Sequence, residues 1–153
     1  MTVRERLREM GLEVPEVPQP LAAYVPGVAC ERLLFVSGQL PVVRGELRFA
    51  GKLGRDLGVE EGQQASRLAV LNCLGVVQAL AGDLERVERI VKITGFIHCI
   101  DSFTAQPAVL NGASTLLEEV FGERGRHARA AVGVNALPLN AACEVEMIAL
   151  LAP

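Results

Sequence analysis

Residues 59–81 hold the longest helical pattern in the chain, and its one-sidedness limits the folds open to it. Leu68, Leu71, Leu74 and Gly75 share a broad apolar face with Ala65 and Ala79, while Glu60, Glu61, Gln63, Gln64 and Arg67 make the start polar. Acidic residues in a first turn suit the helix dipole. A helix with one apolar stripe must bury it, and the β-rich runs elsewhere predict a sheet as its partner, with Gly75 permitting close approach. A second helix is predicted from Gln106 or Pro107 to Phe121, apolar at Val109, Leu116, Leu117, Val120 and Phe121, and ended by Gly122.

Around these helices lie strand-like runs: Ala23–Val25, Leu33–Val36, Leu47–Phe49 and Arg89–Cys99. Pro26-Gly27 separates the first two, and Arg44-Gly45-Glu46 reads as a turn before the third. The second run stops at Ser37-Gly38-Gln39, where a glycine lets a ligand or a neighbouring strand approach the backbone. From Arg126 to Met147 the chain reads as two more strands joined by a Leu137-Pro138 turn. One carries Arg129, the other Glu144 and Glu146. A guanidinium and a carboxylate on adjacent strands of an apolar hairpin suggest a small anionic substrate beside a proton acceptor, although a cross-strand ion pair would give the same pattern.

The expected order is β-β-β-α-β-α-β-β, a mixed sheet with both helices on one face: an α+β architecture. Alternation along the last strand puts Glu144, Glu146 and Ile148 on one side and Cys143, Val145, Met147 and Ala149 on the other. Two helices cover only one side, so the side with the glutamates is left open, and the open faces are expected to meet across subunits of a closed homo-oligomer. Residues 1–20, a short amphipathic helix (Val3, Leu7, Met10 on one side) and the connector Glu13-Val-Pro-Glu-Val-Pro-Gln-Pro20, are expected as an appendage to a domain spanning 21–153.

The 153 residues are 50% hydrophobic and 22% charged, which fits one globular domain with a sizeable core. A net charge of −3, no Trp and a single Tyr disfavour a nucleic-acid partner. The N-terminus lacks the apolar region of a secretory signal and no run is long enough to span a bilayer, so a cytoplasmic protein with no membrane partner is expected. The four cysteines (Cys30, Cys73, Cys99, Cys143) are scattered and read as small buried hydrophobes. His98 and Cys99 point to opposite faces of a strand, and the clustering a metal site needs is missing, so no metal is expected.

Five segments, Ala23-Tyr24-Val25, Leu33 through Pro41 with Ser37-Gly38-Gln39, Val91-Lys-Ile-Thr-Gly-Phe96, Ala128-Arg129-Ala-Ala-Val132 and Cys143-Glu144-Val-Glu146-Met-Ile-Ala149, stand in the order seen in the RidA/YjgF family. Over about residues 20–151 the chain resembles these reactive intermediate deaminases, also labelled endoribonuclease L-PSP. Phe103 to Ser114, Gly125 to Arg129 and Leu137 to Asn140 look like the longer branch. The resemblance implies a chorismate-mutase-like homotrimer with clefts between subunits, and hydrolysis of enamine or imine intermediates such as 2-aminoacrylate to 2-keto acids and ammonia, with no cofactor.

Carried over residue by residue, Arg129 would grip the substrate carboxylate and Glu144 would orient and deprotonate water. Tyr24, Ser37 and Gly38 would line the cleft, and Asn111 loosely matches a polar position at the start of the second helix. Two departures stand out. Ala131 is where relatives often have cysteine, which matters little if the contact is through the backbone. His127 is where relatives commonly have proline; it is expected at the cleft rim, with a pKa suited to acting as an additional acid. The rival readings are a small-carboxylate-binding trimer without turnover and, less favoured, a ribonuclease. Tyr24 could equally pack its ring, and Ser37 could satisfy a turn.

Overall fold

The computed structural model describes residues 1–17 and 23–153, so Pro18 and Pro20 of the connector lie outside the described residues. Among the described residues three α-helices, α1 (Val3–Glu9), α2 (Val59–Ala81) and α3 (Gln106–Phe121), accompany seven strands. Five strands, β1 (Gly27–Cys30), β2 (Leu33–Gln39), β5 (Val87–His98), β6 (Ala128–Val134) and β7 (Cys143–Leu151), form one sheet in the order β1-β2-β7-β5-β6. The short β3 (Val42–Val43) and β4 (Glu46–Leu47) form a separate hairpin. Within the described five-stranded sheet β5 and β6 pair in parallel and the other neighbours are antiparallel, so the sheet is mixed.

Both long helices occupy the spans that the hydrophobic period predicts. At the start of α2 the Glu61 carboxylate accepts the Gly58 backbone N–H at 3.1 Å, and α3 ends where Gly122 takes a left-handed φ of 64°. Their inner faces bury Ala65, Ala69, Val70, Cys73, Leu74 and Val77 from α2, and Val109, Leu110, Leu116, Leu117 and Val120 from α3. These meet Leu34, Val36, Ile93, Ile97, Val145 and Met147 from the sheet in one core. Each fully buried leucine or isoleucine stabilises by about 2 kcal/mol against exposure. The stripe of α2 is rotated from the expected one, since Ala79 is exposed. Gly75 does serve a close approach, but of the N-terminal connector: a Cβ there would lie 2.6 Å from the Pro15 carbonyl oxygen.

α1 stays outside the sheet. Thr2 caps it, accepting from Glu5 N at 3.1 Å, and Val3 and Leu7 enter the core while Arg6 donates to the Val120 carbonyl at 3.0 Å.

Three local expectations need correcting. The first strand begins at Gly27 rather than Ala23, and the turn into β2 is made by Glu31 at φ 54°, not by Pro26-Gly27. Phe49, with φ 57°, cannot extend a strand, so the run after the Arg44-Gly45 turn is only Glu46–Leu47. That turn has both central residues left-handed (φ 50° and 80°), which matches the twist of a two-residue hairpin.

The third correction matters for function. β6 and β7 are not a hairpin. β5 lies between them, pairing with β6 through Ile93↔Arg129 and with β7 through Phe96↔Glu144. Arg129 shares its row with Ile93, which is fully buried on the helix side. Glu144 and Glu146 alternate with buried Cys143, Val145 and Met147 and so face the side without helices, as expected. The guanidinium and the carboxylate therefore leave the sheet on opposite faces.

Candidate functional site

β2 carries one extra residue against β7: Val36 pairs with Met147 and Gln39 with Val145, a bulge at Ser37-Gly38. The bulge opens a cleft of about 570 Å³ whose lining includes Tyr24, Gly38, Asn72, Arg44 and Glu144. A Cβ on Gly38 would fall directly on the Glu144 carboxylate, so this glycine makes room for the side chain of Glu144. Pro15 and Val17 wall the cleft from the N-terminal side. Asn72, on α2, donates to both Leu40 O and Val42 O at 2.9 Å and ties the cleft's loop to the helix.

Glu144 is half-buried here, and its pKa is raised from the ordinary 4.5, first by burial and then by repulsion from Glu146 on the same face. A carboxylate so raised is a stronger base than a solvated one.

A second depression of about 440 Å³ lies on the helix side, lined by Asn111, Ser114, Thr115, Arg126, His127 and Arg129 among others. Arg129 Nη1 donates to Ser114 Oγ at 3.0 Å and Nη2 to the Pro107 carbonyl at 3.2 Å. Among the described residues it has no carboxylate partner, whereas Arg126 is paired with Glu118 at 3.7 Å and Glu123 at 3.9 Å. The cross-strand ion pair of Arg129 with Glu144 or Glu146, the alternative to substrate binding that the sequence left open, is absent among the described residues.

The residues singled out in the sequence thus fall into two groups. Tyr24, Gly38 and Glu144 gather in the larger cleft, and Asn111, His127 and Arg129 in the smaller one. Tyr24 is 57% exposed at the cleft wall. Ser37 donates its hydroxyl to the Val25 carbonyl at 2.8 Å and lines a neighbouring depression of the open face with Lys92, Thr94 and Glu146. Ala131 packs on the core beside Gly95. Cys73 and Cys143 are buried thiols whose pKa burial pushes up, Cys143 to about 12, so both stay protonated; Cys30 is exposed, against expectation. His98 is buried with Nδ1 3.1 Å from the Ala141 carbonyl. No helix among the described residues is long and apolar enough to cross a membrane.

Sequence reasoning missed Asn72 and Ser114. For Ser114 a signal existed: it lies three residues after Asn111, on the same helical face. Asn72 had none, because its partners are backbone carbonyls of a loop.

The comparisons with known proteins agree with this architecture. The family described as "YjgF/chorismate mutase-like, putative endoribonuclease" matches residues 4–151. Protein TCP17 of Trypanosoma cruzi is 45% identical over 147 residues, covering 95% of this chain and 92% of its own. The crystal structure of the protein Atu1372, of unknown function, from Agrobacterium tumefaciens superposes with a TM-score of 0.92 at 42% identity, covering 98% of this chain and 92% of that one. That of E. coli TdcF with bound serine gives a TM-score of 0.63 at 27% identity, covering 90% and 94%. The helix positions, the mixed sheet and these matches together make the chain a member of the YjgF/chorismate mutase-like family.

Proposed function

We propose that the protein hydrolyses enamine and imine intermediates, of the 2-aminoacrylate type, to 2-keto acids and ammonia, as a homotrimer with its sites between subunits. The observation that carries this reading is the separation of Arg129 from Glu144. The arginine is held by neutral acceptors, while the glutamate, with a raised pKa, leaves the opposite face of the sheet and lines a separate cleft. In one chain the two cannot reach one small molecule, but across an interface they can: Arg129 stands on the edge strand β6, available to a neighbour's cleft. The face bearing Glu144 also exposes Val28, Phe35 and Val132, apolar area suited to covering by a second copy.

The chemistry then follows. Arg129 takes the substrate carboxylate as a fork and sets the imine carbon against the cleft of Glu144. Glu144 accepts a proton from water as its oxygen bonds to that carbon, giving a carbinolamine. The imine reacts protonated on nitrogen, so the carbinolamine is neutral; Glu144 then returns its proton to that nitrogen, the C–N bond breaks and ammonia leaves as the hydroxyl gives its proton back to Glu144 and the carbonyl forms. An enamine first takes a proton at its terminal carbon to become the imine. Tyr24 and Gly38 line the cleft, and Asn111 borders Arg129. No step requires a metal or a cofactor.

The second reading is a small-carboxylate binder without turnover, favoured by TdcF, a relative with serine bound. The net charge of −3 lends no support to nuclease activity. The test is kinetic. Imino acids generated in situ by an amino-acid oxidase or a dehydratase should release keto acid faster with the wild type than spontaneously. Arg129→Ala and Glu144→Ala should each lose at least about 100-fold in kcat/KM, or some 2.7 kcal/mol, while staying folded. No acceleration by the wild type across several side chains would put the binding reading first.

A further inference from the structure

We propose that Ser114 and His127 are positioning residues that fix the orientation of the Arg129 guanidinium for a ligand carboxylate, Ser114 directly and His127 through it. The proposal rests on the reading of Arg129 as the carboxylate grip.

The direction of each hydrogen bond follows from one anchor. His127 Nδ1 lies 2.6 Å from the Gly125 carbonyl oxygen, which can only accept, so Nδ1 carries the proton. In the neutral ring Nε2 is then an acceptor, and at 2.9 Å it takes the hydroxyl proton of Ser114. The Ser114 lone pairs are left for Arg129 Nη1 at 3.0 Å. Protons run one way, from Arg129 to Ser114 to His127 to Gly125, and the serine hydroxyl has a single orientation that satisfies both neighbours.

Both ends of this chain are rigid. Ser114 and Pro107, whose carbonyl takes Nη2 at 3.2 Å, stand on α3, packed into the core through Val109, Leu110, Leu116 and Leu117. Gly125 is buried so closely against α3 that a Cβ would fall on the Leu117 carbonyl oxygen.

Two consequences follow. A guanidinium carries five N–H donors, and this arrangement occupies one on each Nη, leaving the Nε–H and one N–H on each Nη for a carboxylate fork. The holding groups are also neutral, so the guanidinium is aimed without its charge being cancelled, as a carboxylate partner would cancel it. Both ring nitrogens of His127 are taken up by Gly125 and Ser114, so neither is turned toward a departing nitrogen. Its role here is to fix the serine.

The test uses the purified oligomer with pyruvate as the probe by calorimetry, alongside steady-state hydrolysis of a generated imine. Ser114→Ala should weaken pyruvate binding and raise KM by about tenfold while kcat stays within about twofold, the signature of lost uniform binding. Ser114→Thr, which keeps the hydroxyl, should restore most of the loss. His127→Phe should weaken binding by about threefold, and the double variant Ser114→Ala/His127→Phe should be no worse than Ser114→Ala, because the histidine acts only through the serine.

Normal binding by Ser114→Ala alongside lost binding in Arg129→Ala overturns the positioning role and leaves the carboxylate grip standing. Normal binding by Arg129→Ala overturns the grip itself. Multiplying effects in the double variant, or no recovery with threonine, also overturns the proposal. His127→Phe alone keeps the test decisive if a serine variant does not fold.

Discussion

Gly38 and Glu144 form a pair in which the missing side chain of one houses the carboxylate of the other. Gly38→Ala should therefore push the Glu144 side chain from its place without touching Arg129. Misplacing a base by about 1 Å costs on the order of 100-fold, so kcat should fall by about that factor while pyruvate still binds within a few-fold of wild type. Steady-state kinetics beside calorimetry would show this; an unchanged kcat would mean that Glu144 need not sit where it does. The raised pKa of Glu144 makes a second prediction at the same scale. A carboxyl whose folded pKa lies above its unfolded value near 4.5 disfavours folding once it is charged. The penalty is absent below the unfolded pKa, where both states are protonated, and develops as pH rises from 4.5 through the folded pKa. Glu144→Gln should therefore melt higher than wild type at pH 8, with the gap closing by pH 4, as thermal melts across that range would show. A gap that widens toward acid pH would mean that the charged form is favoured in the folded protein.

Elements were legible in the sequence where their signal is local. α2 and α3 carry a helical period, an acidic start or a closing glycine, and both lie where that period puts them. The facing of β7 was legible too, because alternation needs no partner. Strand pairing is not local. The stretch between Val134 and Cys143 is short enough to suggest a hairpin, yet both β6 and β7 pair with β5. β5 is a 12-residue strand whose Val87, Ile90, Ile93 and Ile97 are all fully buried, and occupying both its edges covers more backbone than a two-stranded hairpin would. The same limit governs the site. Glu144 and Arg129 stood out as charges in apolar strands, but that they face away from each other is a property of the sheet order. Ser114 and Asn72 look in sequence like ordinary polar helix residues, and only their hydrogen-bond partners distinguish them.

At the scale of the whole molecule, the face of the sheet without helices determines what one chain can do alone. A row of residues crosses it from Val28 through Phe35 and Ile148 to Lys92 and Ala128, largely apolar and uncovered in a single copy. If copies meet over this face and each site takes Arg129 from one subunit and Glu144 from another, two dead variants should rescue each other. Arg129→Ala and Glu144→Ala, inactive alone, would be co-expressed or refolded together in equal amounts. A site is intact only when its arginine comes from the Glu144→Ala chain and its glutamate from the Arg129→Ala chain. Random assembly makes that combination at about one site in four, so the mixture should recover about a quarter of wild-type activity. Activity that stays at the level of the separate variants, in an assembly shown by native mass to be mixed, would mean that one chain supplies both groups, against the opposite faces on which the sheet places them. Recovery near a quarter would assign the two halves of the chemistry to different subunits and explain why neither cleft of the single chain holds both charges.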